Sequence, residues 1–163
     1  MIAAYSPPLA PSLWFTDKAH EATSFYVSIF PDSRIDRVAT SPAETPSGPA
    51  GSVEMVEFTL CGRPFFAMSA GPHDPFNHAI SFAVDCANQA EIDRYWAALL
   101  EGGQAEACGW LRDRYGVCWQ IVPSVLRAMM AAPDRAAARR AMEAMLTMVK
   151  LDIAALQKAF DGR

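Results

Sequence analysis

The chain contains no CxxC pair, no HExxH motif and no histidine at zinc-finger spacing from a cysteine. Neither a structural zinc site nor a metalloprotease-type centre is therefore written into it as a motif. It also lacks a basic block. The densest cluster, Arg135, Arg139 and Arg140, lies beside Asp134 and Glu143, and the net charge is −4. That removes the electrostatic footprint a nucleic-acid partner needs. No apolar run approaches the ~20 residues of a membrane span, so no membrane partner is expected. The opening segment MIAAYSPPLAPSLWF has neither a basic start nor a cleavable apolar stretch, and does not read as a secretion signal. A soluble, cytoplasmic chain is the expectation. In that reducing compartment Cys61, Cys86 and Cys118 read as thiols serving as small apolar side chains. Cys108, which precedes Gly109, stands apart from them.

What the chain does have is a repeat. Ala22, Phe25, Tyr26, Ile29 and Phe30 follow the i, i+3, i+4, i+7, i+8 rhythm of a helix with one buried stripe, and so do Ile92, Tyr95, Trp96, Leu99 and Leu100. Each set follows a short apolar run, residues 9–15 and 79–84, and precedes more strand-like sequence. Asp17 is placed to cap the first helix, which Pro31 stops; Asn88 and Glu91 form a capping box for the second, which Gly102 and Gly103 end. Strands are expected over 34–40, 53–60 and 64–69 in the first copy and over about 105–113 and 117–122 in the second. Gly62 and Gly116 sit at matching hairpin turns. The order strand, helix, three strands thus occurs twice, over 9–70 and 77–123, in a chain whose 52% hydrophobic content suits a single domain, 1–163. Two such modules are expected to make a cleft between them.

Beyond Pro123 the character changes to helix, over 124–163. Ser124–Ala131 reads as one helix, and Pro133-Asp134 starts another. On that second helix Met142, Met145, Leu146 and Val149 share a face, followed by Ile153, Leu156 and Phe160. Such a stripe must be buried, on the domain's own sheet or on a second subunit. A homodimer is expected.

Several stretches resemble a known family: PSLWF with the helix ending in FYVSIFPDSRI, then GPHDPFNHAISF, QAEIDRYWAALLEGG, CGWLRDRYGVCWQIVPSVL and the tail AAARRAMEAMLTMVKLDIAALQKAF. They are similar to the PhnB-like branch of the vicinal oxygen chelate superfamily, the glyoxalase, bleomycin-resistance and dioxygenase group. This branch has often carried the label 3-demethylubiquinone-9 3-methyltransferase. The resemblance implies an α+β fold of two βαβββ modules forming a half-open barrel, here with a C-terminal helical extension. In metal-using members His and Glu from the first and fourth strands of both modules hold a divalent ion. The corresponding places here read Ala79, Gln120, and close to Phe66 and Pro11, none of them a strong ligand. His78 neighbours Ala79, and strand alternation would turn it to the opposite face. No glycine-rich loop after a strand is present for S-adenosylmethionine.

The expectation is therefore a protein that binds a small apolar or aromatic metabolite in the cleft, with no metal and no cofactor. The alternatives are a metal-dependent lyase, isomerase or dioxygenase, or, on the family label alone, a methyltransferase. Whether it is an enzyme stays open, and no catalytic residue is assigned. The ligand-binding candidates are Phe66, Trp110, Gln120, Cys108 and Asp113. Phe66 and Trp110 would stack on the ligand, and Gln120 would orient a carbonyl or hydroxyl. Asp113, between Arg112 and Arg114, is better suited to a structural salt bridge or to capping its turn than to acid–base catalysis. A nucleophilic Cys108 would need a basic partner that the sequence does not place beside it. Trp119 should face away from Gln120, into the core.

Overall fold

Alternation of buried and exposed residues in the first strand, Ser12–Phe15, sets the plan of the first half of the chain. A computed structural model describes residues 9–163, and the opening segment read above against a secretion signal falls largely outside them. The chain divides into two compact units, the first ending at Asp74 and the second spanning Pro75–Arg163. In the first, β1 (Ser12–Phe15), α1 (Ala19–Ile29), β2 (Arg34–Thr40), β3 (Glu54–Leu60) and β4 (Arg63–Ser69) follow in order. They make a four-stranded sheet in the order β1-β4-β3-β2, with β1 parallel to β4 and the other pairs antiparallel. Leu13, Phe15, Val56, Phe58, Leu60 and Ala67 point to the helix side, where Ala22 and Tyr26 of α1 are fully buried. Ser12, Trp14, Phe66 and Met68 lie on the other face by alternation and register.

Asp17 does not cap α1. The helix begins at Ala19 after Lys18, which makes no side-chain cap. Its first amides go instead to the sheet: Ala19 N–H donates to Ser69 Oγ (2.9 Å) and His20 N–H to Glu54 Oε2 (3.2 Å). Acceptors more than thirty residues away in sequence do the work expected of a local cap.

The second unit repeats the plan. It contains β5 (Phe82–Cys86), α2 (Gln89–Leu100), β6 (Gln104–Ala105), β7 (Trp110–Arg112) and β8 (Cys118–Pro123), ordered β5-β8-β7-β6, with β5 parallel to β8. The expected capping box forms in part: Glu91 N–H donates to Asn88 Oδ1 (3.0 Å), while Glu91 Oε2 accepts from Ala87 N–H (2.8 Å), one residue before the cap, instead of from the cap's own amide. Two strands are shorter than the sequence suggested. Residues 78–80 form a turn before β5, held by the Ala79 N–H bond to Asn77 Oδ1 (2.8 Å). The span 105–113 is interrupted because Cys108 and Gly109 both take left-handed conformations, with φ of 60° and 81°.

Those two residues also explain the C-terminal helices, α3 (Ser124–Ala131), α4 (Arg135–Leu146) and α5 (Ile153–Asp161). The expected single helix through residue 160 breaks after Leu146. The Cys108 and Gly109 amides donate to the carbonyls of Met148 and Val149 (both 2.8 Å), so tertiary bonds replace the next helical turn. Gly109 fits because a Cβ there would stand 2.8 Å from the Ile121 carbonyl oxygen and 3.0 Å from the Leu151 side chain. The predicted stripe is accordingly split. Met145 packs on a small core of Leu126, Met129, Ala141, Leu151 and Leu156. Met142, Leu146 and Val149 are exposed, and α4 buries Ala137, Ala138 and Ala141 instead.

Candidate functional site

Strand register sorts the side chains of the second sheet. Trp119 lies between Phe82 and Leu111 across its two ladders, and Gln120 between Ala83 and Trp110. The first set lies on the α2 side, with Trp119 and Leu111 buried. The second shares the open face, with Trp110 and Gln120 half-buried. The expectation that Trp119 and Gln120 face opposite ways therefore holds.

On this open face the polar groups converge. Gln120 Nε2 donates to Ser81 Oγ (2.9 Å), while its carbonyl oxygen has no partner among the described residues. The His78 ring lies 5.7 Å from that of Trp110, tilted by 53°. Its Nε2 is 2.6 Å from Glu106 Oε2, and the other carboxylate oxygen lies 3.7 Å from Arg112 Nη2. Arg112 Nε is buried with no hydrogen-bond partner among the described residues. Arg112 pairs across the ladder with Cys118, whose thiol pKa is raised mainly by burial. A stacking surface, an amide acceptor and a histidine–carboxylate pair thus share one face.

His78 is the main departure from sequence reasoning. Alternation governs strands, and His78 sits in a turn, so its ring swings onto the Trp110 side. Glu106 was not anticipated. It lies in the loop between β6 and β7, where its amide donates to the Trp110 carbonyl (2.9 Å). The left-handed corner at 108–109 follows it and turns the chain back so that Trp110 accepts that bond.

A family model described as 3-demethylubiquinone-9 3-methyltransferase matches residues 7–122. The chain belongs to this family. Among solved structures, a Bacillus cereus PhnB protein described as a putative 3-demethylubiquinone-9 3-methyltransferase is 32% identical; the match covers 71% of this chain and 98% of that one, with a TM-score of 0.63. The fosfomycin resistance protein FosX of Listeria monocytogenes is 16% identical over 81% of this chain and 100% of its own, with a TM-score of 0.56. A Pseudomonas aeruginosa protein is 21% identical over 72% of this chain and 98% of its own, at 0.54. These last two share the fold. No curated protein sequence matches. The PhnB-like branch of the vicinal oxygen chelate superfamily, and its paired βαβββ modules, are thereby established. Helices α3–α5 lie outside the span of the family model.

The superfamily implies a divalent metal, but the positions of this PhnB-like chain do not fit one. Gln120 pairs with Ala83 across β5 and β8, and Phe66 pairs with Ser12 across β1 and β4. Among the described residues no group of three or more His, Cys, Asp or Glu comes together. The label's methyl donor finds no glycine-rich cradle either: residues 16–18 and 87–88, which join strand to helix, contain no glycine.

Of the five ligand-binding candidates, Trp110 and Gln120 are cross-strand neighbours. Phe66 occupies the open face of the first sheet, beside Met68 and Trp14. Asp113 is committed elsewhere. It is 4% exposed; Oδ1 accepts from the amides of Tyr115 (2.8 Å) and Val117 (3.0 Å), and Oδ2 accepts from Trp119 Nε1 (2.8 Å). Cys108 is half-buried, and its backbone anchors the α4–α5 connection. A separate concavity of about 440 Å³ lies where α2 and α5 begin. Gln89 bridges it, donating to the Leu151 carbonyl (3.1 Å) and accepting from Ile153 N–H (2.9 Å), and both helix starts are capped, by Asn88 and Asp152.

Proposed function

We propose that this PhnB-like protein binds a small apolar or aromatic metabolite on the open face of its second sheet, without an obligatory metal. The observation that carries this reading is the half-buried Trp110 beside a Gln120 whose carbonyl oxygen has no partner among the described residues. An indole face offers stacking area, and an amide acceptor selects an O–H or N–H on the ligand. Calorimetric titration with indole, a neutral aromatic probe, tests it. Trp110→Ala should abolish the heat and Gln120→Leu should weaken it, while Leu146→Ala, on α4, should leave it unchanged. No binding by the wild-type protein, or binding indifferent to Trp110, would overturn the reading.

The alternatives, a metal-dependent lyase, isomerase or dioxygenase and a methyltransferase, are discriminated chemically. Stoichiometric Fe, Mn, Ni or Zn in protein purified without chelators, lost in His78→Ala, would establish the first. Calorimetric affinity for S-adenosylmethionine would establish the second. A second copy of the chain is the proposed partner, supported by the exposed apolar side chains Met142 and Leu146 of α4 and Val149 after it. Sedimentation as a monomer at micromolar concentration would exclude it. Four unpaired cysteines suit a reducing compartment, and the cytoplasm is the proposed location. No helix among the described residues is long and apolar enough to cross a membrane.

A further inference from the structure

Beside its ring contact with Trp110, and apart from the Gln120 contact, the His78–Glu106 pair has a chemistry of its own. A neutral imidazole that donates its Nε2–H to a carboxylate keeps the lone pair of Nδ1 pointing away from that carboxylate. In His78 the Nε2 side faces Glu106 at 2.6 Å, and Nδ1 has no partner among the described residues. The ring stands over the Trp110 edge of the open face. Glu106 is the less exposed partner, at 21% against 52% for His78. It is steadied by its own amide bond to Trp110 and by Arg112 Nη2. The other charged groups of this face, Asp85 of β5 and Arg127 of α3, contact each other at 3.9 Å. With Nε2–H donated to Glu106, the tethered ring leaves Nδ1 as an acceptor beside an aromatic surface, a proton-accepting arrangement.

We propose that His78 is the proton acceptor of this face and Glu106 its positioning residue, so that the preferred ligand is a small ring bearing an ionisable hydroxyl, a phenol or an enol. This rests on the binding reading above and names its ligand class. The ligand O–H bond breaks, its proton forms the Nδ1–H bond of His78, and the electron pair stays on the ligand oxygen. The resulting oxyanion faces an imidazolium whose opposite edge is held by Glu106. An opposite charge at such range lowers the pKa of the bound hydroxyl by about one to three units.

The probe is 4-nitrophenol, whose anion is yellow, buffered just below its own pKa. Binding is followed by calorimetry and ionisation by absorbance, on the full chain. Wild type should bind the probe and increase its anion band, with the ionisation midpoint of the bound probe lowered by about one unit or more. His78→Gln should still bind but lose that displacement. Glu106→Gln should move the midpoint back toward the free value, and Glu106→Asp should restore it in part, which a purely structural carboxylate would not do. Circular dichroism identifies any variant that fails to fold; both side chains lie at the surface, so His78→Asn is the replacement if one does. Bound probe with an unmoved midpoint, or a displacement that survives His78→Gln, overturns the proton-acceptor role and leaves the binding reading intact. Failure of both 4-nitrophenol and indole to bind overturns the binding reading itself.

Discussion

Replacing Asp113 should destabilise the protein strongly, because its carboxylate is buried and bonded to Trp119 on the α2 side of the second sheet, away from the candidate face. Its carboxylate accepts three hydrogen bonds, two from turn amides and one from the Trp119 indole, and Val117 and Trp119 are each 3% exposed. Asp113→Ala removes these acceptors from donors that water reaches poorly. A hydrogen bond to a charged group contributes about 1.5–3 kcal/mol, and a buried donor left unmatched bears the full desolvation cost. The Tyr115 amide is less buried and can find water, so the expected total is about 3–5 kcal/mol, dominated by Val117 and Trp119. A domain is stabilised by only about 5–15 kcal/mol, so much of the margin would go.

Urea unfolding followed by far-UV circular dichroism measures this. With a slope of about 2 kcal/mol/M, the midpoint should fall by roughly 2 M. Asp113→Asn separates hydrogen bonding from packing, because the amide keeps the shape and one acceptor but turns a donor toward either the amides or the indole. It should recover only part of the loss. The near-UV signal of Trp119 should weaken with it, since that ring loses its anchor. A loss below about 1 kcal/mol in Asp113→Ala, or full recovery in Asp113→Asn, would refute the reasoning and return the side chain to the list of ligand contacts.

Gly109→Ala should lower thermal stability well beyond Gly62→Ala. Both positions have positive φ (81° and 72°), but only at Gly109 would the new Cβ press on backbone, so differential scanning calorimetry of the pair isolates the contact from the ~1–2 kcal/mol conformational penalty. Cys61, which is exposed, should react with a thiol reagent at neutral pH ahead of Cys86. Burial first, with Glu91 and Asp85 adding to it, pushes the Cys86 thiol up to about 11, so labelling of Cys86 should require unfolding. Asp134 caps α4, and its bonds from the Ala137 and Ala136 amides hold its carboxyl below the ordinary value. A depressed folded pKa contributes stability that is present above the unfolded pKa and lost as pH falls through the folded one. Helicity should therefore decline on acidification below the usual aspartate range. Asp134→Asn, which keeps a capping oxygen without a titrating charge, should flatten that part of the curve.

The modules were legible because helix stripes repeat by a rule. Ile92, Tyr95, Trp96 and Leu99 fall at helical spacing, and all four are buried. The Trp119–Gln120 alternation was legible for the same reason, with period two in place of 3.6. What escaped depended on contacts between segments distant in sequence. The α1 amides found acceptors on β3 and β4, so the nearby Asp17 was not needed. The helix expected to run unbroken past Leu146 yielded to amides in the 108–109 corner. His78 was assigned a strand's geometry in a place that is a turn. Glu106 had no local signal at all. Its role follows from a two-residue strand, a left-handed corner and a partner 28 positions away.

The two modules share strand order and matched hairpin glycines, yet their open faces have diverged chemically. Where the second presents Gln120 beside Ala83, the first presents Phe66 beside Ser12, with Trp14 and Met68 on the same face. Where the second has His78, Glu106 and Arg112 in contact, the charged contacts on the first sheet include the more exposed Arg34–Asp36 and Arg37–Glu57 pairs, 2.6 and 3.8 Å apart. An exposed pair of that kind contributes little and exerts little directional hold on a ligand. Duplication of a βαβββ unit fixes backbone geometry, and the open face is where side chains can change without disturbing the helix-side core. Selection for polar chemistry on one copy therefore leaves the other free to become an apolar surface. On that argument, exchanging Phe66 for Gln should leave the proton acceptance proposed for His78 unchanged, because the groups it invokes all belong to residues 78–120.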